Sequence, residues 1–193
     1  DGVDINSSGY TAYSSGGVAN KVFELTTPYT TAQLFDLKFA QSADVMYITH
    51  PSHEVEKLSR TAHTTWTLTD VDFTKGPMQD ANTTDTTLNP GQSAVGTGIA
   101  LVASAVTGIN SGSGFLSTDV GRFVYLSGGY AKITGVTNTT NATITIITAL
   151  DSASATANWQ LGAFSDTTGH PSSVTFFEQR LVFAVINLIA LTW

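Results

Sequence analysis

The sequence predicts an all-β protein: an antiparallel strand repeat, of the kind that forms propeller blades, carrying an inserted small β-barrel or sandwich. Three observations predict it. Only 12% of the 193 residues are charged, while Thr, Ser, Gly, Asn and Ala dominate, and β-branched Thr with turn-forming Gly and Asn suits short strands joined by tight loops. Apolar residues alternate with a period of two over several short runs. Helical spacing is confined to one stretch, residues 30–37, where Leu34 and Leu37 lie three apart behind Thr30 or Thr31 as N-cap.

Taken in order, residues 1–20 are Ser- and Gly-rich and read as a flexible lead-in. The spacing of Asp1, Asp4 and Asn6 lacks the third carboxylate and terminal bidentate Glu of a calcium loop. Residues 21–80 read as one β-repeat unit with the short helix inside it. A strand over 21–25 (KVFEL) ends at Thr26-Thr27-Pro28. The next strand, 44–50 (DVMYITH), is apolar on both faces, with Val45 and Tyr47 on one and Met46 and Ile48 on the other, as for a strand buried on both sides. His50-Pro51-Ser52-His53 turns the chain. Residues 54–60 (EVEKLSR) are more polar and mixed in phase, which predicts a bulge or an exposed edge. In 65–73, Trp66 and Leu68 share a face until the phase slips at Thr69-Asp70 and Val71 and Phe73 take over, which predicts a bend or bulge there.

The polar run 80–91 reads as a linker. From there, residues 81–164 read as the inserted small β-barrel: Ile99, Leu101 and Ala103 alternate, 123–126 is an apolar strand, and Gly128-Gly129 signals a hairpin into 130–136. A turn over 137–141 leads to Ile144 and Ile146 on one face, and Trp159 and Leu161 alternate in the last strand. Residues 165–193 read as the start of a second, truncated repeat. There Phe177-Glu178-Gln179 followed by Leu181-Val182-Phe183 parallels Phe39-Ala40-Gln41 followed by Val45-Met46-Tyr47. The apolar run 181–193 is shorter than the roughly 20 residues a membrane span needs.

Chemistry-bearing motifs are sparse. The chain has no cysteine, so disulfides and thiolate metal sites are excluded. His50 and His53, with Glu54 and Glu56 beside them and His63 beyond, do not converge on a strand and turn as they would on a helix, and H-E-x-x-H is absent. Asp36, Asp44, Glu54, Glu56, Asp70, Asp72 and Asp80 are the carboxylates available for glycoside chemistry, and their spacing assigns neither acid nor base. No G-x-S-x-G elbow or phosphate-cradling loop occurs. Accordingly no catalytic, cofactor-binding or metal-ligating residue is expected, nor any cofactor or small-molecule substrate. Trp66, Trp159 and Tyr130 are the aromatics that a sugar platform would use, although the phases of the two tryptophans favour a core role. Arg122, just before an apolar strand, reads as a loop cap or a partner for Asp119 rather than a ligand-binding group. The acceptor patterns at Asn82, Asn138 and Asn141 arise readily in a chain this rich in Asn and Thr. A net charge of −7 argues against sequence-independent binding to nucleic acid.

Several segments in shared order carry a resemblance: PYT at Pro28, FAQSADVMYITHP from Phe39, KLSR at Lys57, HTTWTLTDVDF from His63, DVGR at Asp119, AKITGV at Ala131, WQLGAFSDTTGHPS from Trp159 and FFEQRLVFA from Phe176. Together they resemble tail-tube or nozzle proteins of short-tailed bacteriophages and prophages, a family described as carrying a small β insertion similar to a domain of ubiquitin-activating enzymes. The likeness covers roughly residues 22–184 and stops where VINLIALTW begins. It implies a piece of a longer, non-enzymatic virion protein, made in the bacterial cytoplasm and assembling with copies of itself and other tail proteins. DNA passes through such an assembly without being read, and no membrane is involved. The alternative is a cell-surface or secreted adhesin or carbohydrate-binding β module.

Overall fold

A computed structural model describes residues 23–185, preceded by two dipeptide strands, β1 (Thr11–Ala12) and β2 (Asn20–Lys21), which pair antiparallel. Apart from those strands, the expected lead-in over 1–20 and its Asp1, Asp4, Asn6 spacing lie outside the described residues. Two units emerge, one made of Asp1–Val71 and Pro171–Trp193, the other of Asp72–His170. The protein is all-β with antiparallel sheets, and among the described residues there is no long helix. Among the described residues no helix is long and apolar enough to cross a membrane.

In the first unit the strand expected over 21–25 is absent, because Lys21 ends β2 and residues 23–25 lie outside any strand. Phe23 and Leu25 do share a face, as their alternation requires, but that face lines a pocket rather than joining a ladder. The helical spacing gives a 3-10 helix, Thr31–Asp36, behind Thr30, whose amide donates to Gln33 Oε1 at 2.9 Å. A four-stranded meander follows: β3 (Lys38–Ser42), β4 (Val45–His50), β5 (His53–Ala62) and β6 (Thr65–Asp70), in that order across the sheet. As an inner strand, β5 is no exposed edge. Its mixed phase has the other expected cause, since register shifts occur at both its ends, between Ile48 and His50 and between Arg60 and Ala62 of the paired ladders. No bulge sits at Thr69-Asp70. The ladder is even from Glu56↔Asp70 to Arg60↔Trp66, and the phase changes because the chain leaves the sheet; Phe73 already belongs to the second unit.

The second unit contains β7 (Leu88–Pro90), β8 (Gly96–Ala103), β9 (Phe123–Leu126), β10 (Gly129–Asn138), β11 (Asn141–Thr148) and β12 (Trp159–Leu161). They form one antiparallel sheet in the order β12-β9-β10-β11-β8-β7, curled into a half-barrel. Leu88 and Thr156 exchange backbone hydrogen bonds of 2.9 and 3.0 Å, which ties β7 to the chain entering β12. The run 80–91 is therefore no simple linker: it holds β7, and Leu88 is fully buried. Period-two alternation delivers the core, with Ile99, Leu101 and Ala103 of β8, Ala142, Ile144 and Ile146 of β11, and Trp159 and Leu161 of β12 all pointing inward. The β9–β10 turn is Ser127-Gly128, both at positive φ (44° and 76°), one residue earlier than the Gly-Gly signal. Gly129 opens β10, where an added Cβ would lie 2.5 Å from the carbonyl oxygens of Thr148 and Ala149.

The chain then returns to the first unit as a hairpin, β13 (Ser173–Phe177) and β14 (Arg180–Ala184), with β13 against β3 and β4. Tyr47 and Phe176 meet edge to face at 6.2 Å between ring centroids. This hairpin resembles β3–β4 in having a two-residue turn. However, Phe177-Glu178-Gln179 runs into its turn, whereas Phe39-Ala40-Gln41 lies wholly within β3.

Candidate functional site

One face of the β3–β6 sheet carries Met46, Ile48, Leu58, Trp66 and Leu68, which the ladder registers bring side by side. A pocket of about 500 Å³ opens over it, lined by Phe23, Leu25, Thr27, Ile48, Leu58, His63, Trp66 and Leu68. Trp66 is half-buried, and its Nε1–H donates to the His63 carbonyl at 3.0 Å, which fixes the indole at the rim. The Arg60 guanidinium lies 5.8 Å from the centroid of the Trp66 ring and donates to His63 Nδ1 at 3.0 Å. A smaller hollow of about 130 Å³ adjoins, lined by Gln41, Asp44, Met46, Leu58, Arg60 and Trp66. Chemically this surface offers apolar contact, an aromatic face, and the Arg60 guanidinium with the Asp44 carboxylate 3.5 Å from it. It presents no nucleophile paired with a base.

The histidines gather differently from a metal site. His50 and His53 face each other across β4–β5, 5.1 Å between ring centroids, and Tyr29 packs edgewise on His53 at 5.2 Å. Ser52 N–H donates to His50 Nδ1 at 3.1 Å, so the neutral ring carries its proton on Nε2, which is buried without a hydrogen-bond partner among the described residues. The Tyr29 hydroxyl and Thr49 Oγ1 are orphaned in the same way. His53 Nε2 bonds Gln33 Oε1 at 3.1 Å, His63 sits beside Arg60, and His170 reaches Asp166 at 2.9 Å in the other unit. Among the described residues no three potential ligands converge.

Of the carboxylates considered, only Glu56 and Asp70 are cross-strand partners. Burial first, then the charges of Asp70 and Glu54, push the Glu56 carboxyl up from the ordinary 4.5. Burial, followed by Glu56 and Asp70, likewise raises the Tyr29 phenol. Neither Glu56 nor Asp70 lines the pocket, and Asp36, Asp44, Glu54, Asp72 and Asp80 are exposed. Among the described residues, no pair of these acids thus flanks a sugar-sized cleft as glycoside hydrolysis requires.

In the second unit Arg122 is fully buried and every nitrogen of its guanidinium has a hydrogen-bond partner. It donates to Asp119 Oδ1 (2.9 Å), Asn110 Oδ1 (2.7 Å), Gln79 Oε1 (2.7 Å) and the Gly162 carbonyl (2.7 Å). Burial lowers its pKa, and the charge and hydrogen bond of Asp119 oppose that shift. Of the two roles the sequence offered, a loop cap or a pair with Asp119, the pair is present. Gln79 and Asn110 lie 43 and 12 residues away, and no local signal marks them. Trp159 is a core residue, its Nε1–H donating to the Thr86 carbonyl at 2.8 Å, while Tyr130 lies under Lys75, 5.1 Å from the ring centroid. Trp66 and Trp159 belong to different units. Asn82 Nδ2 donates to three carbonyls, those of Thr84, Thr86 and Ala157, so its amide is committed to structure rather than displayed for modification. No family model and no curated protein matches the chain.

Proposed function

We propose that the protein is a non-enzymatic structural component of a phage tail, a tube or nozzle element that works through contacts with copies of itself and other tail proteins. The observation that carries this reading is the half-covered apolar face of the first unit. Met46, Leu58, Trp66 and Leu68 remain partly accessible there, and Phe35, Phe39 and Phe177 are exposed elsewhere in the same unit. Apolar surface left open on a folded unit marks protein contact. The shared order of segments from Pro28 to Ala184 supports a tail protein in particular, and the acidic balance suits a channel along which DNA slides. Localisation in the virion is part of the proposal. Mass spectrometry of purified particles, with antibody labelling in the electron microscope, should find the protein at the tail. Particles lacking it, or a tail assembled normally after deletion of the gene, would overturn the reading.

The second reading, a carbohydrate-binding module, is favoured by Trp66 at the rim of an open pocket beside Arg60, Asp44 and Gln41. Specific binding on a glycan array that disappears in Trp66→Ala would establish it. Trp159→Ala is no test, because that ring is buried in the core.

A further inference from the structure

The sheet edges of this protein are unequal. β7 and β12 are three residues long, and β7 ends in Pro90. β3 begins with Lys38. Shortness, proline and lysine are the devices that keep edges from pairing. By contrast β6 is six residues long, TWTLTD, with no charge before its last residue and no proline. Its four threonine and aspartate side chains are exposed, and its outer edge bonds to no described residue.

The direction of its free backbone groups follows from the ladder. Val71 N–H donates to the Val55 carbonyl at 2.7 Å, and the register runs unshifted from Glu56↔Asp70 to Arg60↔Trp66. Odd-numbered residues therefore bond inward to β5, and Trp66, Leu68 and Asp70 turn their N–H and C=O groups outward. The strand is also close to a palindrome. Antiparallel to a second copy of itself about Thr67, it sets Thr67 opposite Thr67, Thr65 opposite Thr69, and Trp66 opposite Leu68 twice. Asp70 then meets Thr64, so no like charges oppose each other. The outward residues Trp66 and Leu68 face one another in hydrogen-bonding positions, and the aromatic-aliphatic and Thr-Thr pairs are favourable cross-strand neighbours.

We infer that β6 is an isologous docking edge that pairs antiparallel with β6 of a second copy of this chain about Thr67, joining two four-stranded sheets into one of eight. The pairing places the apolar faces of both copies, Trp66 and Leu68 included, on one side of the joined sheet. It stands on the edge geometry and not on the tail role, so either can fail without the other. A twofold contact makes a dimer and not a ring.

Disulfide trapping tests the register, because the chain has no cysteine of its own. The Thr67 pair is non-hydrogen-bonded, where Cα atoms lie about 4.5 Å apart, within the span of a disulfide. Under mild oxidation, Thr67→Cys should cross-link to a dimer, whereas Thr65→Cys and Thr69→Cys should cross-link only when mixed. Each is offset by about 13 Å from its own copy. Sedimentation of the uncross-linked chain gives the second arm. Thr67→Lys and Thr67→Glu should each weaken the dimer roughly fivefold or more, and their mixture should restore it. A wild-type chain that stays monomeric to its solubility limit, equal cross-linking by all three cysteine variants, or a charge-swap mixture that remains monomeric would each overturn the inference.

Discussion

The two units solve the same problem, burying a β-sheet, to different degrees. In the second unit Leu101, Val124, Leu126, Ile133, Ile144, Ile146 and Trp159 are sealed inside a curled sheet, and the buried cation Arg122 has a partner on every nitrogen. In the first unit the buried apolar side chains among the described residues are Ile48, Val55 and Val174, and one face of the sheet stays half-open. Among the described residues, Tyr29, Thr49, His50 and Ser172 each keep a buried polar atom without a partner there, against Thr86 in the second unit. A unit with a closed core and, among its described residues, a single orphaned side-chain atom is close to finished on its own terms. A unit with an open apolar face is suited to further contact.

The largest expected effect falls on the finished unit. Arg122→Met should cost about 3–5 kcal/mol, because it strands Asp119 in the interior. The double variant Arg122→Met with Asp119→Leu should recover part of the loss, and calorimetry on both variants would show it. If Arg122→Met unfolded the first unit instead, the contrast would break.

Core truncation comes next. Ile144→Ala should cost about 2–5 kcal/mol, and Leu68→Ala on the half-open face well under that, since it loses less burial and leaves no closed cavity. Equal losses in chemical denaturation would mean that the open face is covered in solution.

Proton linkage separates the units further. Glu56 holds its proton more tightly folded than unfolded, so its contribution to stability is complete below the ordinary 4.5 and is lost as pH rises through the higher folded value. Denaturation of the first unit should show lower stability at neutral pH than in mild acid, and Glu56→Gln should narrow that gap. A gap unchanged by the substitution would assign it to other groups.

The smallest effect is a gain. Glu178 and Gln179 turn the β13–β14 hairpin at φ of 47° and 63°, a conformation that side chains other than Asn and Gly adopt reluctantly. Glu178→Asn with Gln179→Gly should add about 0.5–1 kcal/mol, read as a higher melting temperature of the first unit.

By itself the sequence determined what depends on local period and turn chemistry. Alternation placed Ile99, Leu101, Ala103, Ile144, Ile146, Trp159 and Leu161 inside, and the spacing over residues 30–37 marked a short 3-10 helix in the first unit. It also offered the Asp119–Arg122 pair as one of two roles for the arginine, its members being three residues apart. Only the tertiary structure decided matters that depend on distant partners. Residues 23–25 cover a face instead of entering a ladder, Leu88 is a core residue inside a polar run, and β5 is interior despite its polar sequence. Gln79 and Asn110 became ligands of a buried guanidinium, and Trp66 and Trp159 parted into different units. The reason is physical: side-chain period is fixed by the chain's own geometry, whereas burial and hydrogen-bond satisfaction are set by whichever remote segment folds against it.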